Sequence, residues 1–278
     1  MADEEAAVGL VSREGAEGAR PRLLVTFRLD DDDGSPLDAG VDAGSDAAPD
    51  AGVFDPPEMV AVPGGSFLMG CNRDECEADE KPVHAVTLAR FEIDRTEVTQ
   101  AAYQLCVDAG ACVEPTCAYD PVGQAAYPVT CVRHGDARDH CAFAGKRLPT
   151  EAEWEKAARS DDRHYPWGNR QPDCTLANAF GCADLAQPVG LHPDGDSPYG
   201  AVDMAGNVSE YVADFYAADY YAQSPPSNPT GPTDGDTRIR RGGAHSGGRE
   251  TLAVFDRVQV GPFVRGDNIG FRCARDAP

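Results

Sequence analysis

Lysine is nearly absent from this 278-residue chain: Lys81, Lys146 and Lys156 stand beside 21 arginines. Positive charge of either kind is scarce, and 47 acidic residues bring the formal net charge to −23. Such a balance excludes nucleic acid as a partner, because phosphates demand a basic footprint. It also disfavours anionic membrane surfaces. The arginine bias, with abundant alanine and glycine, reads as the composition of a GC-rich genome. No apolar run is long enough to span a bilayer, so no transmembrane segment is expected.

Cysteine is the residue the chain does not lack. Ten occur, several at local spacings: Cys71/Cys76, Cys106/Cys112/Cys117 and Cys174/Cys182. None of these pairs has the tight C-x2-C spacing of a zinc site, and no histidine cluster lies beside them. An even count in loop-like surroundings predicts disulfides and an oxidising, extracytoplasmic compartment. The first residues carry no visible signal peptide: Met1 to Ala19 is acidic, and Leu23-Leu24-Val25-Thr26-Phe27 is too short for an apolar core. The cysteines outweigh that silence.

Residues 1–56 read as a disordered acidic tail or spacer. Asp38-Ala39-Gly40-Val41-Asp42-Ala43-Gly44 restarts as Asp46-Ala47-Ala48-Pro49-Asp50-Ala51-Gly52, and Asp30 to Asp33 form a charge run. A segment this poor in apolar side chains cannot offset its ordering entropy. From residue 57 to 278 the texture becomes short apolar runs broken by Gly and Pro. Three helices are predicted there. The first spans Thr99 to Ala109, with Thr99 as N-cap, Gly110 as C′ residue, and Ala102, Leu105 and Cys106 on one face. The second runs from His134 to Ala144 and is ended by Gly145, with His134 and His140 flanking an exposed face. The third opens on the capping box Thr150-Glu151-Ala152-Glu153 and buries Trp154, Ala157 and Ala158. The long loops beyond Arg159 need pins such as disulfides or metal ions.

These segments together resemble the formylglycine-generating enzyme, or sulfatase-modifying-factor, family. The match runs through Pro63-Gly64-Gly65-Ser66-Phe67-Leu68-Met69-Gly70, Phe91-Glu92-Ile93-Asp94 and Glu97-Val98-Thr99. Its centre is Gly145-Lys146-Arg147-Leu148-Pro149-Thr150-Glu151-Ala152-Glu153-Trp154-Glu155, followed by Tyr165-Pro166-Trp167-Gly168-Asn169. Asp203-Met204-Ala205-Gly206-Asn207-Val208, Arg241-Gly242-Gly243 and Gly270-Phe271-Arg272-Cys273 complete it. The resemblance implies an irregular α+β fold related to C-type lectins, with little regular secondary structure. It also implies structural calcium, at one or two sites, and a disulfide between Cys141 and Cys273. The first calcium site would use the side chains of Asp203 and Glu210 and the carbonyls of Gly206 and Val208, an all-oxygen shell suited to a hard cation. The second would use Asn178 and Ala179 with a downstream acid such as Asp184.

The family's enzymes hold Cu(I) between two cysteine thiolates and oxidise a substrate cysteine to formylglycine. Cu(I) is soft, and thiolate is the side chain that holds it tightly. Both cysteines should follow Arg241-Gly242-Gly243, yet no cysteine lies between Arg241 and Gly270. Gly247, Gly248, Thr251 and Leu252 occupy that stretch. The family's next serine is Ala244 here, and an expected aromatic is Ser209. No copper is therefore expected. The reading is a non-catalytic domain, a monomer, that binds a peptide, protein or glycan. His245, Ser246 and Arg249 are its candidate cleft residues. The alternative is an oxidoreductase of altered chemistry, formylglycine-generating or nonheme-iron in type, working from the same cleft. Arg257 and Arg272 read as structural partners of the excess acids.

Overall fold

The computed structural model describes residues 58–117 and 119–277, so the spacer predicted over 1–56 lies outside them. Twelve short regular elements hold these residues, and loops make up most of the rest. Strands β1 (Met59–Val62), β2 (Gly65–Met69), β3 (His84–Leu88) and β4 (Phe91–Asp94) come first, then helices α1 (Gln100–Asp108), α2 (His134–Phe143) and α3 (Glu151–Ala158). Five strands follow: β5 (Ser209–Phe215), β6 (Arg238–Arg241), β7 (Arg257–Val260), β8 (Ile269–Phe271) and β9 (Ala274–Asp276). β1, β4 and β9 form one antiparallel sheet, and β2 and β3 form a hairpin. The largest sheet runs β7-β6-β5-β8, with β5 and β8 parallel. This is the irregular α+β architecture expected.

The helix ends follow their local chemistry. Thr99 accepts the Ala102 N–H at 3.2 Å, and Gly110 takes the left-handed conformation (φ 69°) that stops α1. Thr150 and Glu153 close a reciprocal capping box at the start of α3. All eight residues of α3 are buried, not a stripe alone, because the helix is packed by β2, β3 and β5. Two sequence expectations fail. Leu105 is exposed, and α1 buries Ala101, Tyr103 and Cys106 instead. His134 and His140 are buried, not on an exposed face. His134 bonds the Val212 carbonyl through Nε2 at 2.9 Å, and His140 stacks on Tyr103 with centroids 5.3 Å apart. Both residues sit on the side of α2 that faces the core.

Five disulfides use all ten cysteines: 71–76, 106–112, 117–131, 141–273 and 174–182. Four staple local loops. Cys141–Cys273 ties α2 to the segment before β9 and closes a loop of 132 residues, worth about 5 kcal/mol in the chain-entropy model.

Burial holds His140 neutral and lowers its pKa from 6.5 to about 4, with the Lys146 charge adding to the effect. The unfolded chain binds the proton near pH 6.5 and the fold does not. His140 thus contributes stability above pH 6.5 that is lost as pH falls through 4, about 3 kcal/mol in all. Urea midpoints at pH 7 and pH 4 should fall less in H140F than in the wild type. An equal fall in both proteins contradicts the assignment.

Candidate functional site

The site is built on the start of β5 and the loop before it. Asp203 (φ 54°) and Asn207 (φ 57°) both adopt the left-handed conformation, which short polar side chains tolerate. Gly206 between them must be glycine: φ is 88°, and a Cβ there would lie 2.5 Å from the Asn178 carbonyl oxygen. Asn207 is the hub. Its N–H donates to the Asn178 carbonyl at 2.7 Å, and its own carbonyl accepts the His245 N–H at 2.9 Å. Its side-chain oxygen accepts the Gln187 N–H at 2.8 Å, while Nδ2 donates to Glu97 Oε1 at 3.0 Å. One buried asparagine, through its backbone and its side chain, so joins its turn to four other segments.

Glu97 was not anticipated as a site residue. It is fully buried beside Asp203, and its Oε2 has no hydrogen-bond partner. Burial pushes its pKa well above the usual carboxylate range, and the neighbouring Asp203 and Glu210 charges push the same way. Burial likewise raises Asp203, although the Gly190 N–H donates to it at 2.6 Å. Two adjacent buried carboxyls fit a hard cation; without one, a hydrogen bond between the Glu97 and Asp203 side chains offsets part of the burial cost at Asp203. Glu210 behaves differently. Arg272 grips both of its oxygens, at 2.7 and 2.6 Å, and Trp154 Nε1 donates to it at 2.8 Å. The carboxylate expected to face a metal is thus already neutralised. In the second predicted set, Asn178 and Ala179 are buried and Asn178 Oδ1 lacks a partner, while Asp184 is exposed on a cleft wall.

That cleft, about 540 Å³, lies between two disulfide-braced loops and is lined by Gln100, Gln124, Tyr127, Asp184 and Asp267 among others. Across Asn268 lies a smaller pocket of about 200 Å³. Ser209, Ala244, Gly247 and Thr251 line it, and so do Arg240, Ser246 and Asn268. Four of the positions singled out in the sequence, Ser209, Ala244, Gly247 and Thr251, therefore share one pocket, whereas Gly248 and Leu252 do not line it. No free cysteine exists to serve it, so its side chains do not fit Cu(I). Of the three cleft candidates, Ser246 lines the pocket, and its Oγ accepts from Asn268 Nδ2 at 2.9 Å. His245 is buried with both ring nitrogens unpartnered, and Arg249 is exposed; neither lines this pocket. Sequence spacing missed Arg240 and Asn268, which reach the pocket from β6 and the turn before β8.

A loop-rich α+β domain, pinned by disulfides and organised around a left-handed Asp-x-x-Gly-Asn turn, defines the class. A model of the sulfatase-modifying factor enzyme 1-like domain matches residues 45–277, and the chain belongs to that family. It is 33% identical over 284 residues to the formylglycine-generating enzyme of Streptomyces coelicolor, covering 79% of this chain and 89% of that one. It is 30% identical to the inactive Cα-formylglycine-generating enzyme 2 of Bos taurus, over 79% of this chain and 88% of the relative. Among solved structures it resembles PvdO from Pseudomonas aeruginosa, with TM-score 0.70 and 30% identity, over 80% of this chain and 95% of that one.

The Arg272–Glu210 pair gives a direct test of the site's frame. Removing one partner of a buried ion pair leaves the other uncompensated, which costs about 3–5 kcal/mol. R272A should lose stability on that scale in urea unfolding. R275A, which breaks an exposed pair with Glu92, should lose less than about 1 kcal/mol. Equal losses would remove the frame's claimed role.

Proposed function

We propose that this chain is a non-catalytic member of its family: a calcium-stabilised, extracytoplasmic domain that binds a peptide or glycan in its cleft. One observation carries the reading. The pocket lined by Ser209, Ala244, Gly247 and Thr251 offers hydroxyls and small side chains but no thiolate, and every cysteine of the chain is in a disulfide. A soft metal has no ligand there. The relative in Bos taurus, named as inactive, indicates that the family's scaffold also occurs without its reaction. Five disulfides support an oxidising compartment, and no helix among the described residues is long and apolar enough to cross a membrane.

Calcium would be held by Glu97 and Asp203 with the Gly206 and Val208 carbonyls. It would supply the positive charge that two buried carboxylates otherwise lack, pinning the turn to the end of β4. Its role is structural.

Two measurements test the proposal. A sulfatase-motif peptide incubated with the protein, copper and oxygen should show no formylglycine by mass spectrometry; its formation, or stoichiometric copper or iron in the purified protein, overturns the binding role. Chelation by EGTA should lower the melting temperature of the wild type by several degrees. E97Q should melt below the wild type in calcium, yet match or exceed it in EGTA, because without the ion burying the carboxyl costs free energy, through its raised pKa, that the neutral amide avoids. Parallel behaviour of the two proteins in both buffers removes Glu97 from the calcium site.

A further inference from the structure

Arg240 differs from the buried arginines around it, and from Arg238 on its own face of β6, which bonds the Ala213 carbonyl and lies over the Phe215 ring. Arg241, Arg257 and Arg272 each meet a buried glutamate. Arg240 projects from the opposite face of β6 to Arg241, half-buried, and pairs with no carboxylate among the described residues. Its charge acts on Asp256, after burial, Arg241 and Glu77, without an ion pair between them. Among the described residues its side chain bonds one protein group, Ser209 Oγ, at 3.0 Å, and Ser209 in turn donates its O–H to the Asn268 carbonyl at 2.9 Å. A guanidinium has five N–H donors in a fixed fork, so four remain unused. The Arg240 side chain lines the 200 Å³ pocket, whose other walls include Ala244, Val258 and Ser246 and which contains no acidic side chain. Ser246 Oγ accepts from Asn268 Nδ2, which leaves its own O–H free to donate. In a chain of net charge −23, an unpaired arginine facing an acid-free pocket is a specific chemical preference.

We propose that this pocket takes a carboxylate of the bound ligand, held by the Arg240 fork with the Ser246 hydroxyl. The assignment rests on the binding role above and names the group that this cleft recognises. Charge selects a carboxylate over phosphate. The fork can grip two oxygens of either group, but a single guanidinium balances one negative charge, and a phosphate dianion would leave the second unbalanced. Beyond Asn268 the wider cleft presents Asp184 and Asp267, neither in an ion pair with a described residue. The remainder of the ligand is therefore neutral or cationic, and a second acidic group would be repelled.

The test uses the full oxidised chain, labelled so that arginine Nε–H signals are visible by NMR, at constant ionic strength. Propionate, N-acetylalanine, glucuronate, sulfate and phosphate are titrated separately. Propionate should shift one arginine signal saturably. R240Q should abolish that signal and weaken binding by about tenfold or more, the scale of a charge-assisted pair. R240K should fall between, and R249Q should match the wild type. A larger affinity for N-acetylalanine points to a peptide carboxylate, and for glucuronate to a sugar acid; both support the site. If R240Q does not fold, S246F, which fills the exposed mouth and leaves Arg240 intact, should block the titration. Saturation by sulfate or phosphate but not by propionate overturns the proposal, as does unchanged binding in R240Q. A peptide or glycan that binds wild type and R240Q alike, with no response to propionate, sinks the carboxylate site and leaves the binding role standing. Formylglycine formation sinks the binding role whatever Arg240 does.

Discussion

Arg241 is fully buried, and the rest of the domain depends on how its charge is met. Its guanidinium bonds Glu151 at 3.2 Å, Glu155 at 2.6 Å, and the carbonyls of Phe255 and Val254 at 3.1 and 2.8 Å. Taking such a group out of water costs several kcal/mol, and only near-complete hydrogen bonding offsets it. Arg257 shares the Glu151 oxygen that Arg241 bonds and also bonds the second one, and Arg159 meets Glu155. The lattice joins α3 to β6 and β7 and to the loop after β2. Arg272 repeats the device at Glu210, while also bonding the carbonyls of Asp94, Arg95 and Val202. A fold made mostly of loops leaves many carbonyls without a ladder partner. Arginine forks satisfy several at once, which lysine cannot do with one point charge. The scarcity of lysine thus has a structural use here beyond genome composition.

The lattice also stores acid groups under strain. Asp214 accepts the Glu151 N–H at 2.8 Å, yet burial and the Glu151 charge push its pKa up to about 8. Such a group favours folding below its unfolded pKa and loses that contribution as pH rises through 8. His134 and His140 run the other way, because their folded pKa values are depressed. Opposed buried groups thus shape stability against pH alongside the net charge.

How much of this could be read in the residues follows from the range of each interaction. Helix ends were legible because their causes lie within four residues: Thr99, Thr150, Gly110 and Gly145 act locally. Trp154 was legible from helical period. The burial of His134 and His140 was not, since period cannot say which stripe of α2 faces the core when both carry polar residues. Leu105 failed for the same reason on α1. The Asp203–Asn207 turn was visible as a motif, but its acidic neighbour Glu97 is more than a hundred residues away, and no spacing rule joins them. Glu210 was visible and misleading: its partner Arg272 arrives from β8. The β6 run Arg238-Ile239-Arg240-Arg241 held a readable signal, because alternation sends Arg240 and Arg241 to opposite faces.

That alternation separates structure from recognition. Arg241 and Ile239 face inward and are spent on the core, so substitutions on the outward face leave the lattice untouched. The small pocket hangs on that outward face, with Ser209 at the start of β5, Arg240 one strand away and Asn268 before β8. Its Ser209, Arg240 and Val258 walls are fixed by the sheet, a rigid support of the kind that functional side chains require, while the loop after β6 supplies Ala244, Ser246, Gly247 and Thr251. The same frame would hold thiolates as firmly as it holds Ser209, Ala244 and Gly247. What the frame conserves is position; what the pocket does depends on which few side chains stand there. Membership of the family therefore transfers the architecture to this chain, and the outward face of β6 decides the chemistry.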